Sequence, residues 1–162
     1  GKLINEDQAG YIKGRNIATV LRTIDDAINY LNSTGKVGYL LALDYCKAFD
    51  SLSKPYLLHV FDIFGFGPDF QRWISVLTNN NQSCINHGGW LSVPFNVNCG
   101  IRQGCPFSPL AFVLAVELLA IKIRNSSITG IQTPTTNPSK NISIKIKQFA
   151  MTQHYSLKPG KT

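Results

Sequence analysis

The sequence predicts an α+β domain with an antiparallel sheet, and three patterns support this fold class. Apolar residues repeat at helical spacing from Ile17 to Leu31, a short apolar run without helix caps covers residues 38–44, and apolar and polar residues alternate over residues 142–149. The chain has 162 residues, 44% of them hydrophobic. That size suits one domain with a real core, and it excludes disorder along the whole chain.

The first predicted element is an amphipathic helix. Its apolar stripe consists of Ile17, Val20, Leu21, Ile24, Ile28 and Leu31. Asn16 is a suitable cap at its start, and Thr34-Gly35 is a suitable stop. Asp25 and Asp26 fall between the stripe positions, so we interpret them as part of a solvated helix face.

Residues 38–44 predict a central strand that is buried on both faces and ends in the carboxylate of Asp44. Two short helices are expected next, over residues 55–64 and 68–77, separated by Gly65-Phe66-Gly67. A hairpin is expected around Gly88-Gly89, with Trp90 opening the returning strand.

A long helix is expected after Gly104, with Ser108 as its cap and Pro109 as its first residue. It should extend to about Arg124 and be buried, because it is apolar on nearly every side. Residues 142–149 then predict a half-buried strand. From Ala150 onward the apolar period stops.

The charge is distributed unevenly along the chain. Residues 1–101 carry eight Lys/Arg and eight Asp/Glu, whereas residues 102–162 carry eight Lys/Arg and only Glu117, which places the whole net charge of +7 in the second part. A basic surplus favours an anionic partner such as nucleic acid.

The cysteines and the hydropathy exclude other classes. Cys46, Cys84, Cys99 and Cys105 form no CxxC pair, and the histidines are not spaced with them as zinc ligands, so we expect free, mostly buried thiols in an intracellular, reducing compartment. No run of 18 apolar residues is present, so no membrane-spanning segment is expected. The lack of a start methionine indicates a fragment or a processed piece.

A carboxylate at the end of a buried strand suits Mg²⁺, which prefers oxygen ligands and is held by carboxylates together with substrate phosphates. By itself, an aspartate at the end of a strand caps a turn more often than it binds a metal. Its context is Asp44-Tyr45-Cys46-Lys47-Ala48-Phe49-Asp50, followed by Ser51-Leu52. This segment resembles the first catalytic motif of reverse transcriptases, and most closely that of LINE-type, non-LTR retrotransposons.

Four further segments resemble motifs of the same family, in the family's order. They are residues 5–15 for the fingers motif, residues 66–74 for the connecting helix, residues 100–109 for the dNTP-pocket motif, and residues 142–150 for the strand that leads to the second catalytic motif. The resemblance therefore covers residues 1–150. It implies a palm-like antiparallel sheet packed on helices, part of the fingers, and no thumb.

The resemblance also implies roles for individual residues. Asp44 would be a catalytic ligand shared by two Mg²⁺ ions, one activating the primer 3′-hydroxyl and the other stabilising the leaving pyrophosphate. Phe49 would be a gate that selects deoxynucleotides; a core aromatic is the other interpretation, and both can be true. Gln103 and Gly104 would form the turn that contacts the incoming dNTP and the template.

The basic candidates remain open between two interpretations. Arg102 would contact a phosphate or the template, or would be a solvated arginine. Lys13 and Arg15 would contact nucleic acid in the fingers, or would have a plain surface role. For Asp50 we expect a helix cap or an ion pair with Lys47 rather than metal ligation.

The second catalytic motif departs from the family pattern. The family has Phe/Tyr-Ala-Asp-Asp, and this chain has Phe149-Ala150-Met151-Thr152. A thioether and a neutral hydroxyl are poor ligands for a hard cation. We therefore expect the metal pair not to assemble and the chain to be inactive.

The genetic code indicates a cause. Met is ATG and Thr is ACN, so reading one base out of register across Met151-Thr152 gives GAC, which encodes Asp. A single G restored after the Ala150 codon would allow the shifted frame to read Asp-Asp-x-Thr-Leu-Phe, which resembles the family's continuation. Residues 151–162 are therefore predicted to be an out-of-frame tail, with ordinary divergence as the alternative.

The expected function is thus that of a fragment of an RNA-directed DNA polymerase, with an RNA or DNA template-primer and dNTP as partners. A non-catalytic nucleic-acid-binding domain on the same scaffold is the alternative. The sequence gives no indication of an oligomer.

Overall fold

The computed structural model describes residues 3–133 and 142–147. Its first helix, α1 (Ile17–Thr34), has the predicted bounds. The Asn16 side chain accepts a hydrogen bond of 2.9 Å from the Ala18 N–H, and Gly35 ends the helix in the left-handed conformation. Both predicted helix signals are therefore confirmed.

Three further helices build the core. These are α2 (Lys54–Ile63), α3 (Pro68–Thr78) and α4 (Phe107–Asn125). Helix α2 packs against both α3 and α4. The buried core comprises Phe49, Leu52, Leu57, Val60, Phe61, Ile74, Ile101, Ala111, Phe112, Val113, Ala115 and Val116.

Helix α4 confirms the prediction of a helix that is apolar nearly all round and buried, but it begins two residues earlier than predicted, at Phe107. The N-cap is Pro106, and Ser108 lies inside the helix. The Ser108 hydroxyl donates a hydrogen bond of 2.6 Å to the Arg102 carbonyl instead of capping α4. The prediction of Ser108 as cap and Pro109 as first residue is therefore wrong.

The strands form three antiparallel pairs. In one long hairpin, β1 (Gln82–Ser83) pairs with β4 (Phe95–Asn96), and β2 (Asn86–His87) pairs with β3 (Trp90–Leu91) across Gly88-Gly89. This confirms the predicted hairpin. The third pair joins β5 (Ile131–Thr133) to β6 (Ile142–Ile144). The remainder of the predicted strand over residues 142–149 is not strand at residues 145–147, and it lies outside the described residues from position 148 onward.

A cluster of charged side chains connects the N-terminal segment to α4 and to the residues after β6. Lys147 Nζ lies 2.9 Å from Asp7 Oδ1, and Arg124 Nη1 lies 3.6 Å from Asp7 Oδ2. Arg124 Nη2 also pairs with Oε1 of Glu117, whose side chain is only 1% exposed. That oxygen accepts a further hydrogen bond of 3.3 Å from the Asn5 N–H.

The predicted buried strand at residues 38–44 is wrong for the described structure. These residues form neither helix nor strand, and all of them are exposed. An apolar run becomes a central strand only where neighbouring strands satisfy its backbone groups. Within the described ranges, β5 and β6 line the same pocket as residues 37–39, but they pair with each other.

Two other predictions concern the cysteines and membrane-spanning helices. The four cysteines are free, as predicted, but Cys46, Cys84 and Cys99 are exposed and only Cys105 is half-buried, so the expectation of mostly buried thiols is wrong. Among the described helices, none has the length and apolarity to cross a membrane.

Candidate functional site

The segment after Asp44 folds into a tight turn. Lys47 adopts a left-handed conformation with φ of 49°. Its carbonyl accepts hydrogen bonds of 2.9 Å from the N–H groups of both Asp50 and Ser51. The Ser51 hydroxyl donates to the Cys46 carbonyl at 3.1 Å and to the Lys47 carbonyl at 3.0 Å. The turn therefore fixes the direction of the chain immediately after the candidate carboxylate.

This turn is joined to the segment before α4 by two backbone hydrogen bonds. The Ile101 N–H donates to the Phe49 carbonyl, and the Gly100 N–H donates to the Leu52 carbonyl, both at 2.9 Å. Gly100 has φ of 87°, a conformation that favours glycine. The structure thus brings together two of the motifs that the sequence separates by some fifty residues.

Side chains reinforce this junction. Gln103 Nε2 donates a hydrogen bond of 3.3 Å to Asp50 Oδ1. Asp50 makes no ion pair with Lys47 within the described residues, so the expected ion pair is absent there. Gly104 follows with φ of 80°. Arg102, Gln103 and Gly104 are all exposed beside the turn that carries Asp50.

Arg102 presents its two ends to different surroundings. Its backbone carbonyl accepts the Ser108 hydroxyl, which anchors it to the first turn of α4. Its side chain is exposed and has no hydrogen-bond or ion-pair partner in the part of the chain that the structure describes. The guanidinium is therefore available to an anion from outside.

Phe49 lies in the core and is only 7% exposed. Its ring packs edge-on against Phe112, with ring centroids 5.4 Å apart. Tyr45 makes a similar edge-on contact with Phe112 at 5.5 Å. The core-aromatic interpretation of Phe49 is therefore satisfied, and the residues on both sides of the turn are tied to α4.

Two tyrosines flank this attachment. The Tyr56 hydroxyl donates a hydrogen bond of 2.9 Å to the Ala115 carbonyl. Burial raises the pKa of Tyr45 above 10.0, and the neighbouring Tyr56 raises it further. Burial alone raises the pKa of Tyr56. Both shifts favour neutral hydroxyl groups next to the candidate site.

Asp44 itself is exposed, and its carboxylate makes no hydrogen bond or ion pair with the other described residues. Residues 3–133 and 142–147 contain no cluster of three His, Cys, Asp or Glu side chains that could hold a metal. The positions of the second catalytic motif, Met151 and Thr152, lie outside the described residues.

The two basic residues of the N-terminal segment differ sharply. The Arg15 guanidinium donates to the backbone carbonyls of Gln8 at 2.6 Å and of Ile4 at 3.1 Å, and also to the carbonyl of Asn5. Lys13 is exposed and has no hydrogen-bond or ion-pair partner among the described residues, so of these two residues only Lys13 presents a free cation.

Sequence reasoning missed Lys54, which supports the site. This residue begins α2 and is buried, and its Nζ donates a hydrogen bond of 2.5 Å to the Val97 carbonyl at the base of the long hairpin. A lysine in the first turn of a helix normally indicates a solvated position. Its burial depends on a carbonyl 43 residues away, so the local pattern contains no signal for it.

Comparisons with known proteins identify the family. A model of the family described as reverse transcriptase (RNA-dependent DNA polymerase) matches residues 2–150. The chain is 29% identical to the Transposon TX1 uncharacterized 149 kDa protein of Xenopus laevis over 130 residues. These residues are 80% of this chain and 10% of that protein.

Two retrotransposon proteins are also similar. The Retrovirus-related Pol polyprotein from type-2 retrotransposable element R2DM of Drosophila melanogaster is 27% identical over 112 residues, which are 69% of this chain and 11% of that protein. The corresponding protein from type-1 retrotransposable element R2 of Popillia japonica is 28% identical over 100 residues, which are 62% of this chain and 16% of that protein.

The chain thus spans between about a tenth and a sixth of the length of these relatives. The mixture of helices with small antiparallel sheets is consistent with part of a reverse transcriptase domain. The chain belongs to the reverse transcriptase family, and its relatives confirm the resemblance to the enzymes of non-LTR retrotransposons.

Proposed function

We propose that residues 1–150 are part of the fingers and palm of an RNA-directed DNA polymerase. Asp44 and the turn at residues 102–104 would face the incoming dNTP, and the thumb would lie outside this chain. The observation that carries this proposal is a pair of backbone hydrogen bonds, both of 2.9 Å. They join Phe49 and Leu52, which follow Asp44, to Ile101 and Gly100 in the segment before α4. These hydrogen bonds support the proposal because they join the backbones of the two motifs.

The proposed roles follow from this placement. Asp44 would be the catalytic carboxylate and metal ligand, because its oxygens are exposed and free of other described partners. Gln103 and Gly104 would contact dNTP and template, and Arg102 would bind a phosphate. Phe49 would act as the gate from a position that is only 7% exposed.

The donor set does not fit the two Mg²⁺ ions of the family reaction. Two ions about 3.5–4 Å apart require several convergent carboxylates. Asp44 supplies one, and Met151 and Thr152 stand where the family has two aspartates. We therefore propose that this chain does not catalyse nucleotide transfer and that residues 151–162 are an out-of-frame tail. The end of the family match at residue 150 supports this boundary.

Primer extension tests the proposal of inactivity. The purified chain, an RNA template with a DNA primer, dNTP and Mg²⁺ should give no product above the level of an Asp44→Asn variant. Extension by the unmodified chain that Asp44→Asn abolishes would contradict the proposal. Resequencing the DNA that encodes residues 149–162 would test the tail, because an additional G after the Ala150 codon would restore Asp-Asp.

Binding of template-primer tests the site independently of catalysis. A fluorescent RNA–DNA duplex should bind the chain, and Arg102→Gln should weaken that binding because it removes a phosphate contact. Arg72→Gln on α3 is a control with the same change of charge. Equal effects of the two substitutions would show that Arg102 contributes only net charge.

A non-catalytic nucleic-acid-binding domain is the second candidate. The observation that favours it is the surplus of basic residues after position 101 together with the missing carboxylates. In that case RNA affinity should fall steeply with salt, since each phosphate contact contributes a slope of about −0.7 to −0.9 in a plot of log affinity against log salt concentration. Affinity that does not change with salt would exclude it. For either candidate we expect an intracellular protein.

A further inference from the structure

One side-chain hydrogen bond joins Asp50 to Gln103, although the two residues are 53 positions apart. Gln103 Nε2 is the donor, Asp50 Oδ1 is the acceptor, and the distance between them is 3.3 Å. Both side chains are exposed. Gln103 is one of the residues proposed to contact the dNTP and the template, so its contact with Asp50 bears directly on the candidate site.

The backbone on the Asp50 side of this contact is held in place. The Asp50 N–H donates to the Lys47 carbonyl at 2.9 Å. The carbonyl of the preceding residue, Phe49, accepts the Ile101 N–H at 2.9 Å. Phe49 and Ile101 are both buried. Asp50 therefore projects from a turn that is fixed directly beside the segment that carries Gln103.

The two residues before Gln103 are also held. Ile101 makes the backbone hydrogen bond to Phe49, and the Arg102 carbonyl accepts the Ser108 hydroxyl at 2.6 Å. Since the backbone is attached on both sides of the contact, its formation requires the ordering of only two side chains. The conformational entropy that this ordering costs is correspondingly small.

The chemistry of the two groups fixes the direction of the hydrogen bond. A carboxylate only accepts hydrogen bonds, whereas a carboxamide carries an NH₂ donor at one end and an oxygen acceptor at the other. Gln103 must therefore turn its NH₂ group towards Asp50. The opposite orientation would place two acceptor oxygens against each other. Gln103 Oε1 then points away from Asp50, and it accepts no hydrogen bond from the described residues.

We propose that Asp50 is a positioning residue, which orients the Gln103 carboxamide for a bound template-primer. This inference rests on the proposed function of the site. With its NH₂ group held by Asp50, Gln103 presents Oε1 as an acceptor, and the group that it recognises is a hydrogen-bond donor of the nucleic acid. Asp50 itself contacts neither the nucleic acid nor a metal.

The charge of Asp50 makes the proposal easy to distinguish from a general electrostatic effect. Removal of a negative charge strengthens the binding of a polyanion when electrostatics alone decide the affinity. Loss of the Gln103 orientation weakens binding, because only a fraction of the molecules then present Oε1. The two explanations therefore predict changes of opposite sign. A contact between two exposed side chains contributes little to stability, so the effect on binding should not arise from unfolding.

Two substitutions of Asp50 test the role of its acceptor oxygen, with a fluorescent RNA–DNA duplex as the probe. Asp50→Ala and Asp50→Asn both remove the charge, but only Asp50→Asn keeps an acceptor. Asp50→Ala should raise the dissociation constant about 2- to 5-fold, which corresponds to about 0.4–1 kcal/mol. Asp50→Asn should bind with an affinity between those of Asp50→Ala and the parent chain.

A control and a double variant complete the experiment. Asp26→Ala removes the same charge from an exposed position on α1, and it should not raise the dissociation constant. Gln103→Ala should weaken binding by itself. Adding Asp50→Ala to Gln103→Ala should cause no further rise, because Asp50 acts through Gln103. The urea midpoints of the Asp50 variants should equal that of the parent chain.

The same series on an all-DNA duplex identifies the donor. An effect of Asp50→Ala that is confined to the RNA template would assign the donor to a ribose 2′-hydroxyl, which DNA lacks. An equal effect on both duplexes would assign it to a group that both contain.

Two results would overturn the positioning role of Asp50 and leave the proposed function intact. The first is tight binding by the parent chain that Asp50→Ala leaves unchanged or strengthens. The second is an equal effect of Asp50→Ala in the presence and in the absence of Gln103. A parent chain that does not bind the duplex would instead contradict the proposed function, and the inference about Asp50 would be lost with it.

Discussion

Gly100 lies directly against the backbone of Asp50. A Cβ atom on Gly100 would come within 2.8 Å of the Asp50 carbonyl oxygen and 2.9 Å of its Cα atom. Backbone atoms cannot yield as the end of a flexible side chain can. The distance between the two candidate motifs is therefore set by the absence of a side chain at position 100.

Gly100→Ala should destabilise the chain by about 2 kcal/mol or more, because it combines this collision with an unfavourable positive φ. Urea denaturation measures the change. Gly104→Ala is the matched control, since Gly104 has φ of 80° but no atom within 4 Å of the added Cβ. A similar loss of stability in both variants would contradict the role of close packing at Gly100.

Arg15→Lys should lower the free energy of unfolding by about 1.5–3 kcal/mol, because a lysine cannot reach three backbone carbonyls with one planar group. Urea denaturation again provides the measurement. Lys13→Gln should leave stability nearly unchanged. If Lys13 contacts a phosphate, the same substitution should reduce the salt slope of RNA binding by about 1. A stable Arg15→Lys variant with weakened RNA binding would assign Arg15 to nucleic acid instead.

Glu117→Gln should destabilise the chain by about 3 kcal/mol, a value typical for breaking a buried ion pair. The substitution leaves Arg124 with Asp7 as its remaining ion-pair partner, at 3.6 Å. Thermal unfolding of Glu117→Gln and of Lys122→Gln, an exposed position on the same helix, makes the comparison. A loss below about 0.5 kcal/mol, as at ordinary surface sites, would show that the cluster is not important for stability.

Stability should decline as the pH rises above 10, because Tyr45 ionises more readily in the unfolded chain than in the folded one. The raised pKa means that the folded state keeps its proton where the unfolded state has lost it. The stabilisation is complete below pH 10 and is lost as the pH increases towards the folded pKa. Tyr45→Phe should reduce this alkaline decline.

Urea denaturation at a series of alkaline pH values checks this prediction. Tyr39→Phe is the matched control, because it removes a tyrosine hydroxyl from a position that is 93% exposed. An identical decline in the parent chain and the Tyr45→Phe variant would contradict it. The parent chain and the Tyr45→Phe variant differ only in the Tyr45 hydroxyl, so the difference between them isolates Tyr45.

The helices could be predicted well because their signals are local. Asn16 and Gly35 mark both ends of α1, but the apolar stripe between them is only partly buried: Val20 is buried, whereas Leu21 and Ile28 are exposed. The hairpin at Gly88-Gly89 is likewise a local signal. The family resemblance identified the motifs, and the hydrogen bond from the Ile101 N–H to the Phe49 carbonyl connects two of them.

Contacts between residues that are far apart in the sequence could not be predicted from local patterns. The run at residues 38–44 has the composition of a buried strand, but whether it is one depends on neighbours that its own sequence does not contain. Serine is a common N-cap residue, yet the Ser108 hydroxyl donates its hydrogen bond to the Arg102 carbonyl and does not cap α4. Arg15 and Lys54 are basic residues for which the sequence suggests exposed positions. In the structure, both donate hydrogen bonds to backbone carbonyls.

The contact between Asp7 and Lys147 has a consequence for how the protein is made. The two residues are 140 positions apart. A ribosome that adds roughly 5–20 residues per second needs about 7–28 s to synthesise the chain between them. During that time α1 and α4 can form, but the ion pair between Asp7 and Lys147 cannot form until Lys147 has been synthesised. The N-terminal segment is therefore expected to acquire its final protection against proteases late in translation, after the helices have folded.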